Sequence, residues 1–329
     1  MKRRLFLPAI AAALAVAVWS VSLAAEQPAA ETIDVTIFHV NDAHGHLEPQ
    51  TESGKSVGGY ARVSTVVKDA RASEKAARIF LVHAGDEFSR GDELTRRTLG
   101  AANIAVMNLI GFDAWTPGNG DFYDGAKELR SRIGEAKFPA LAANVKFKER
   151  GDPVGKPYVI ERAGPVRIAM LGLCFVQPQD ISYEEYQVAG VLDTAKQLVP
   201  ELRKQADVVV AVAHLGVVAE QRLAEMVAGI DVVIGAHTHL LLRKGNRTKG
   251  PDGRDVLLTQ AGEHLQFLGR IDLHMAKADG GYRIAKSEAR LIAMDEKVKL
   301  DPAVTAVIAK LAEASSTPAQ APPVPAAAK

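Results

Sequence analysis

Four times along this chain an apolar, β-branched run stops abruptly in a polar, glycine-containing loop that carries His, Asp or both. Ile33 to Val40 runs into NDAHGHLEP, RIFLVH into AGDEFSRG, DVVVAVAH into LG, and IDVVI into GAHTH. Open α/β sheets place their chemistry at the carboxyl ends of strands, so a chain built this way points its reactive residues at one edge of a sheet. Between these runs, DTAKQLVPELRKQA and VAEQRLAEMVAG carry apolar residues at helical spacing. Alternating strands and helices imply a layered α/β domain. DVLLTQAG and FLGRIDLHMA read as further strands, which leaves one mixed sheet or two packed sheets open.

A chain of 329 residues forms one large domain or two ordinary ones. With 47% hydrophobic and 24% charged residues it has the composition of a globular protein. The first 25 residues, MKRRLFLPAIAAALAVAVWSVSLAA, have the basic start, apolar run and small exit residues of a secretory signal, cleaved after Ala24 or Ala25. The apolar stretch from Pro8 to Ser22 is short for a membrane span, and Arg3 and Arg4 before LFL resemble a twin-arginine signal. A periplasmic or secreted protein with no stable membrane anchor after cleavage is expected. Losing Lys2, Arg3 and Arg4 changes the balance from 40 basic against 39 acidic residues to 37 against 39, so no basic field argues for nucleic acid. Cys174 is the only cysteine, which excludes an internal disulfide. The expected organisation is a signal over 1–25, a linker over 26–32, a domain over 33–297, a helix over 298–315 and a Pro/Ala tail over 316–329 that cannot build a core.

The loops supply a donor set. Asp42 and His44 stand two apart at a strand end, Asp86 follows the flexible Gly85, His214 caps a very apolar strand, and His237 and His239 cap another. With Asn119 these make seven nitrogen and oxygen ligands from five loops, a set that suits two borderline divalent cations sharing one carboxylate.

The order NDAHGHLEP, AGDEFSRG, GFDAWTPGNGDF, VAHLG, IGAHTH resembles the calcineurin-like metallophosphoesterases. The likeness is nearest to the catalytic N-terminal domain of the periplasmic 5'-nucleotidase and UDP-sugar hydrolase family. GGYARVST, ALAANV and LLTQAGEHLQFLGRIDL resemble that family's connecting segments, so it covers roughly residues 33 to 275. The resemblance implies a four-layer α/β/β/α sandwich with two mixed β-sheets. It implies one metal on Asp42, His44 and His239, the other on Asn119, His214 and His237, with Asp86 bridging them. Manganese, zinc or iron would serve, and the bridged pair would activate a hydroxide for hydrolysis of nucleotides or related small phosphoesters. Asn119 would also touch substrate. Asn41 and Asp113 resemble positions that support the ligand loops, and Arg62 is either a substrate contact or a helix-start residue packed on the sheet.

Two departures qualify this. Where the family has a histidine after the asparagine, to protonate or polarise the leaving oxygen, this chain has Gly120. Asp121 is no replacement, because the family already has an acid at that place. His46 and His264 are the nearest candidates to take over, whereas His39 and His83 read as core or supporting residues and His274 carries no signal. The resemblance also stops short of the family's C-terminal nucleotide-binding domain, so the choice of ester is open. The competing expectation is a metal-retaining but catalytically weak protein that binds an anion or a partner.

Overall fold

The computed structural model describes residues 32–176 and 183–316. The expected signal, its twin-arginine motif, most of the linker and the Pro/Ala tail from 317 onward lie outside the described residues. Two mixed sheets form the centre. In the first, β1 (Thr32–Val40) pairs in parallel with β4 (Arg78–His83), which pairs with β5 (Ala114–Trp115). On its other side β1 runs antiparallel to β14 (Phe267–Ala278), and β14 to β15 (Gly281–Ala293). In the second, β8 (Val166–Cys174), β10 (Val208–His214), β11 (Val232–Ile234) and β13 (Asp255–Thr259) are parallel, flanked by antiparallel β7 (Tyr158–Ala163) and β12 (Asn246–Lys249). Two short ladders, β2 (Gln50–Glu52) with β3 (Lys55–Val57) and β6 (Val145–Phe147) with β9 (Tyr186–Val188), complete the strands.

The two-residue period of a strand explains why two sheets form. In β10, Val208, Val210 and Val212 face the core between the sheets, with Val35 and Ile37 of β1 and Phe80 and Val82 of β4. Val209, Ala211 and Ala213 face the opposite way, onto the helices α5 (Val191–Arg203) and α6 (Val217–Met226). Both faces are therefore apolar, as strands covered on both sides require. Phe38 and Val40 of β1 face a third core with α1 (Tyr60–Ser73), α3 (Ala101–Ile110) and α7 (Pro302–Ser316). Two shorter helices, α2 (Glu93–Thr98) and α4 (Gly125–Glu135), complete that side. The result is helix, sheet, sheet, helix. Each fully buried Val or Ile contributes about 1.5–3 kcal/mol of hydrophobic stabilisation, which is what makes continuous apolar strands worthwhile.

The ends of the elements differ slightly from expectation. β1 opens at Thr32. The last helix starts at Pro302 because proline needs no hydrogen-bond acceptor in a first turn, and the Asp301 side chain accepts the Ala303 N–H at 2.9 Å. That helix belongs to the folded body: Val304 and Ile308 are buried, and Asp301 accepts the Ser64 hydroxyl of α1 at 2.6 Å.

Candidate metal centre

Because β1 and β4 are parallel neighbours, their loops leave the sheet side by side and continue to pair. Asp42 N–H donates to Gly85 O at 2.8 Å, His44 N–H to Asp86 O at 2.8 Å and Gly45 N–H to Glu87 O at 2.7 Å. Five of the seven expected ligands, Asp42, His44, Asp86, His237 and His239, have φ between 47° and 76°. Left-handed backbone is uncommon outside glycine, although Asp and His tolerate it better than most residues, and such conformations cluster at functional sites. The left-handed turns bring alternate side chains to one side.

Two donor groups result, Asp42 with His44 and His239, and Asp86 with His214 and His237, each with its ligand atoms within 4.8 Å of one another. His44 Nε2 lies 3.2 Å from His239 Nε2, and His239 Nε2 lies 3.3 Å from Asp42 Oδ1. Asn119 Oδ1 joins the second group 3.2 Å from His214 Nε2. The Asp86 carboxylate faces both, with Oδ1 3.5 Å from His214 Nε2 and Oδ2 3.9 Å from His44 Nε2. An added Cβ on Gly118 would come within 2.3 Å of Asp86 Oδ1, so that glycine keeps the space the carboxylate occupies.

The surroundings turn the donors inward. The His214 Nδ1 faces Ala84 O at 2.9 Å and must carry the proton there, which leaves Nε2 with its lone pair toward the site. Glu263 Oε2, 2.7 Å from His239 Nδ1, fixes a proton on that nitrogen and so turns Nε2 toward the site. Asn41 donates to Asp42 Oδ2 and Gly262 O, both at 2.7 Å, and accepts from Ala261 N–H. This donor set, neutral imidazoles and carboxylates converging from buried loops, fits two divalent cations.

Not every expected residue joins it. Arg62 is buried at the start of α1 and donates to Gly58 O, Ser56 Oγ and Val298 O, so its guanidinium ties loops together. Asp113 accepts from Leu81 N–H, Arg71 and Arg78, away from the ligand loops. His46 and His264 pack against each other with ring centroids 4.3 Å apart, and His264 lies 5.9 Å from His44. They flank the Asp42 group. Gly120 lies over the other one, its N–H donating to Asp86 Oδ1 at 2.7 Å.

Two supporting residues carry more than their places in the sequence suggest. Glu263 was hidden beside the more conspicuous His264. Asp121 is the more consequential: its Oδ1 accepts the N–H groups of Glu87 and Phe88, and its Oδ2 those of Asp86 and Gly118, at 2.8–2.9 Å. One buried carboxylate thus shapes the loop that holds Asp86. The signal was its place two residues after Asn119.

Protonation follows from burial. Burial raises the Asp42 carboxyl, but hydrogen bonds from His239 and Asn41 outweigh it and hold the group at about 2. Burial pushes His44 down to about 3 and lowers His214, so both are neutral and ready to ligate. Asp86 and Asp121 are raised to about 7 by burial and by the charge of neighbouring carboxylates. Asp121 has all its acceptor positions filled by N–H groups, so the retained proton sits on Asp86. The hydrogen bond to Asp42 raises His239. Metal binding must displace these two protons. Without metal, the contribution of Asp86 to stability is fully present below pH 3.8 and lost as pH rises through about 7, whereas metal affinity runs the other way. Titrating Mn²⁺ calorimetrically should show affinity falling as pH drops through about 7, the value to which Asp86 is raised, by about tenfold to a hundredfold per pH unit well below it. A flat profile over that range would remove Asp86 and His239 from the ligand set.

Comparison with known proteins gives a consistent answer. Residues 35–241 match the family model described as calcineurin-like phosphoesterase. A snake venom 5'-nucleotidase from Naja atra is 28% identical over 315 residues, covering 85% of this chain and 57% of the relative. The 5'-nucleotidase of Homo sapiens is 28% identical over 311 residues, covering 86% of this chain and 53% of that protein. The crystal structure of a 5'-nucleotidase precursor from Thermus thermophilus superposes with a TM-score of 0.78 at 26% identity, covering 86% of this chain and 59% of that one. The chain spans about half the length of the curated relatives it matches.

Proposed function

The chain belongs to the calcineurin-like phosphoesterases, and from that premise we propose that it is an exported, dinuclear metal-dependent phosphoesterase of the 5'-nucleotidase type. Its substrates are nucleotides or related small phosphate esters. The observation that carries this reading is the single carboxylate, Asp86, facing two separate donor groups. Asp42, His44 and His239 would hold one ion, Asn119, His214 and His237 the other, and manganese, zinc or iron all suit them. Bound there, two divalent ions supply an activated water and charge neutralisation for in-line displacement at phosphorus. Export is supported by the leader's composition, and among the described residues no helix is long and apolar enough to cross a membrane.

The residues of the chain do the positioning. Asn119 Nδ2 donates to the Tyr123 hydroxyl at 2.7 Å, which points Oδ1 into the site. The Gly120 N–H fixes Asp86 Oδ1. No imidazole stands at position 120, and a missing general acid costs about 10² to 10⁴ in rate when the leaving group is poor. The manganese-loaded mature protein should therefore cleave 4-nitrophenyl phosphate well and AMP slowly. Gly120→His should raise AMP turnover more than aryl turnover, provided Ser89 yields, since an added Cβ at Gly120 comes within 2.5 Å of Ser89 Oγ. The second reading, a metal-binding protein that has given up hydrolysis, rests on Gly120 alone. Inertness toward 4-nitrophenyl phosphate, its diester and AMP with both metals bound would establish that second reading and end the first.

A further inference from the structure

Beside Gly120 the loop after Asp86 and helix α2 enclose a cavity of about 310 Å³ lined by Phe88, Ser89, Arg90, Arg96, Leu99 and Tyr123. Two of its residues touch the candidate metal centre. Ser89 Oγ occupies the space that a side chain at position 120 would enter, and Tyr123 accepts the hydrogen bond from Asn119. The cavity is therefore a vestibule of the site, on the side where the family's imidazole is missing.

Its chemistry is cationic. Arg90 is exposed and makes no hydrogen bond or ion pair among the described residues, while its charge bears on His44. Arg96 is anchored to Gly91 O. Against these two guanidinium groups the lining holds one carboxylate, Asp124. The Ser89 hydroxyl likewise has no partner among the described residues. Both residues are held there at a cost: Ser89 has φ 42° and Arg90 φ 75°, two successive left-handed residues that are not glycine. The loop is clamped on both sides of them. Asp121 fixes Asp86 to Phe88, and Asp92 donates its N–H to Gly45 O at 3.0 Å while its Oδ2 accepts from Leu47 and Glu48. The segment between the two clamps is thereby held in one backbone conformation.

We propose that this cavity is the leaving-group subsite, that Arg90 holds an anionic group carried by the leaving group, and that the Ser89 hydroxyl donates to the leaving oxygen at its mouth. This rests on the phosphoesterase reading. In hydrolysis the bond from phosphorus to the leaving oxygen breaks as a bond from phosphorus to a water oxygen forms. The electron pair goes to the leaving oxygen, and the proton that neutralises it comes from that water. Where no imidazole delivers the proton early, a hydroxyl donor and a nearby guanidinium lower the cost of the charge that builds up. A leaving group with its own anion gains an anchor on Arg90, so the subsite selects for such esters.

The test compares 4-carboxyphenyl phosphate with the phosphate of methyl 4-hydroxybenzoate, its neutral counterpart, on the manganese-loaded mature protein. In Arg90→Ala the ratio of kcat/KM for the charged to the neutral ester should fall about tenfold, the size of one charge-assisted hydrogen bond at a partly exposed site, and Arg90→Lys should restore part of it. Calorimetric affinity for inorganic pyrophosphate should fall by a similar factor in Arg90→Ala. Ser89→Ala should lower kcat for both esters with little change in KM. An unchanged ester ratio in Arg90→Ala overturns the subsite. If the native protein cleaves neither ester, the phosphoesterase reading fails on its own account, and calorimetry decides the subsite: an equal pyrophosphate affinity in native and Arg90→Ala protein overturns it.

Discussion

Asp86→Asn should abolish turnover of an aryl phosphate, by about 10³ or more, and reduce bound metal from two equivalents to one or fewer. The substitution is close to isosteric, and asparagine tolerates the left-handed backbone at this position. The fold should therefore survive, with thermal unfolding within a few degrees of native. What is lost is one anionic oxygen, and with it the carboxylate that faces both donor groups. Because an amide does not titrate, the pH dependence of metal affinity should also become shallower by about one proton. Metal analysis after reconstitution, paired with an aryl phosphatase assay, checks this. Two tightly held equivalents with turnover within tenfold of native would show that Asp86 does not join the two ions.

The second large effect falls on a residue that touches neither substrate nor metal in this scheme. Asp121→Ala leaves the N–H groups of Asp86, Glu87, Phe88 and Gly118 without their acceptor in a buried place. Each orphaned donor costs on the order of 1–3 kcal/mol, less where water enters. A net loss of about 4 kcal/mol is expected, which for a domain of this size lowers Tm by on the order of 10 °C. Metal affinity should drop with it, because the loop that presents Asp86 loses its template. Asp121→Asn should be intermediate, since an amide offers one oxygen to four donors and points its own N–H groups at others. Thermal denaturation of the three proteins decides it, and a shift under about 2 °C for the alanine variant would mean that the loop holds its shape by other means.

What could be read from the chain and what could not divides along a physical line. Asp42, His44, Asp86, His214, His237 and His239 were visible because each sits where a β-branched run stops, and strand ends are local events in sequence. The two-sheet arrangement was harder, because β10 is apolar on both faces, and continuous apolarity says that a strand is covered without saying by what. The resemblance, and then the alternation of Val208 and Val209 between two cores, resolved it. Asp121 could not be valued from sequence, since three of its four partners lie 33 to 35 residues away and all are backbone groups with no identity of their own. Arg62 stayed open between a substrate contact and a helix-start packing residue for a similar reason. A guanidinium near a site reads as an anion contact, and only tertiary structure showed its donors committed to Gly58, Ser56 and Val298. The contact between Ser89 and position 120, which decides what replaces a side chain there, joins two loops that no pattern links.

The pairing of the first two ligand loops has a consequence for traffic. With Asp42, His44 and Gly45 bonded in register to Gly85, Asp86 and Glu87, and Asp42 O accepting the His264 N–H at 2.8 Å, these loops form one stiff wall that does not swing open residue by residue. An ion held as proposed would then come and go through the remaining side. There His239 has a side chain 33% exposed, whereas that of Asp42 is fully covered and that of His44 nearly so. On the proposed assignment His239 would be the donor to let go into water first, and Glu263, which holds its far nitrogen, would be the latch on a one-sided door.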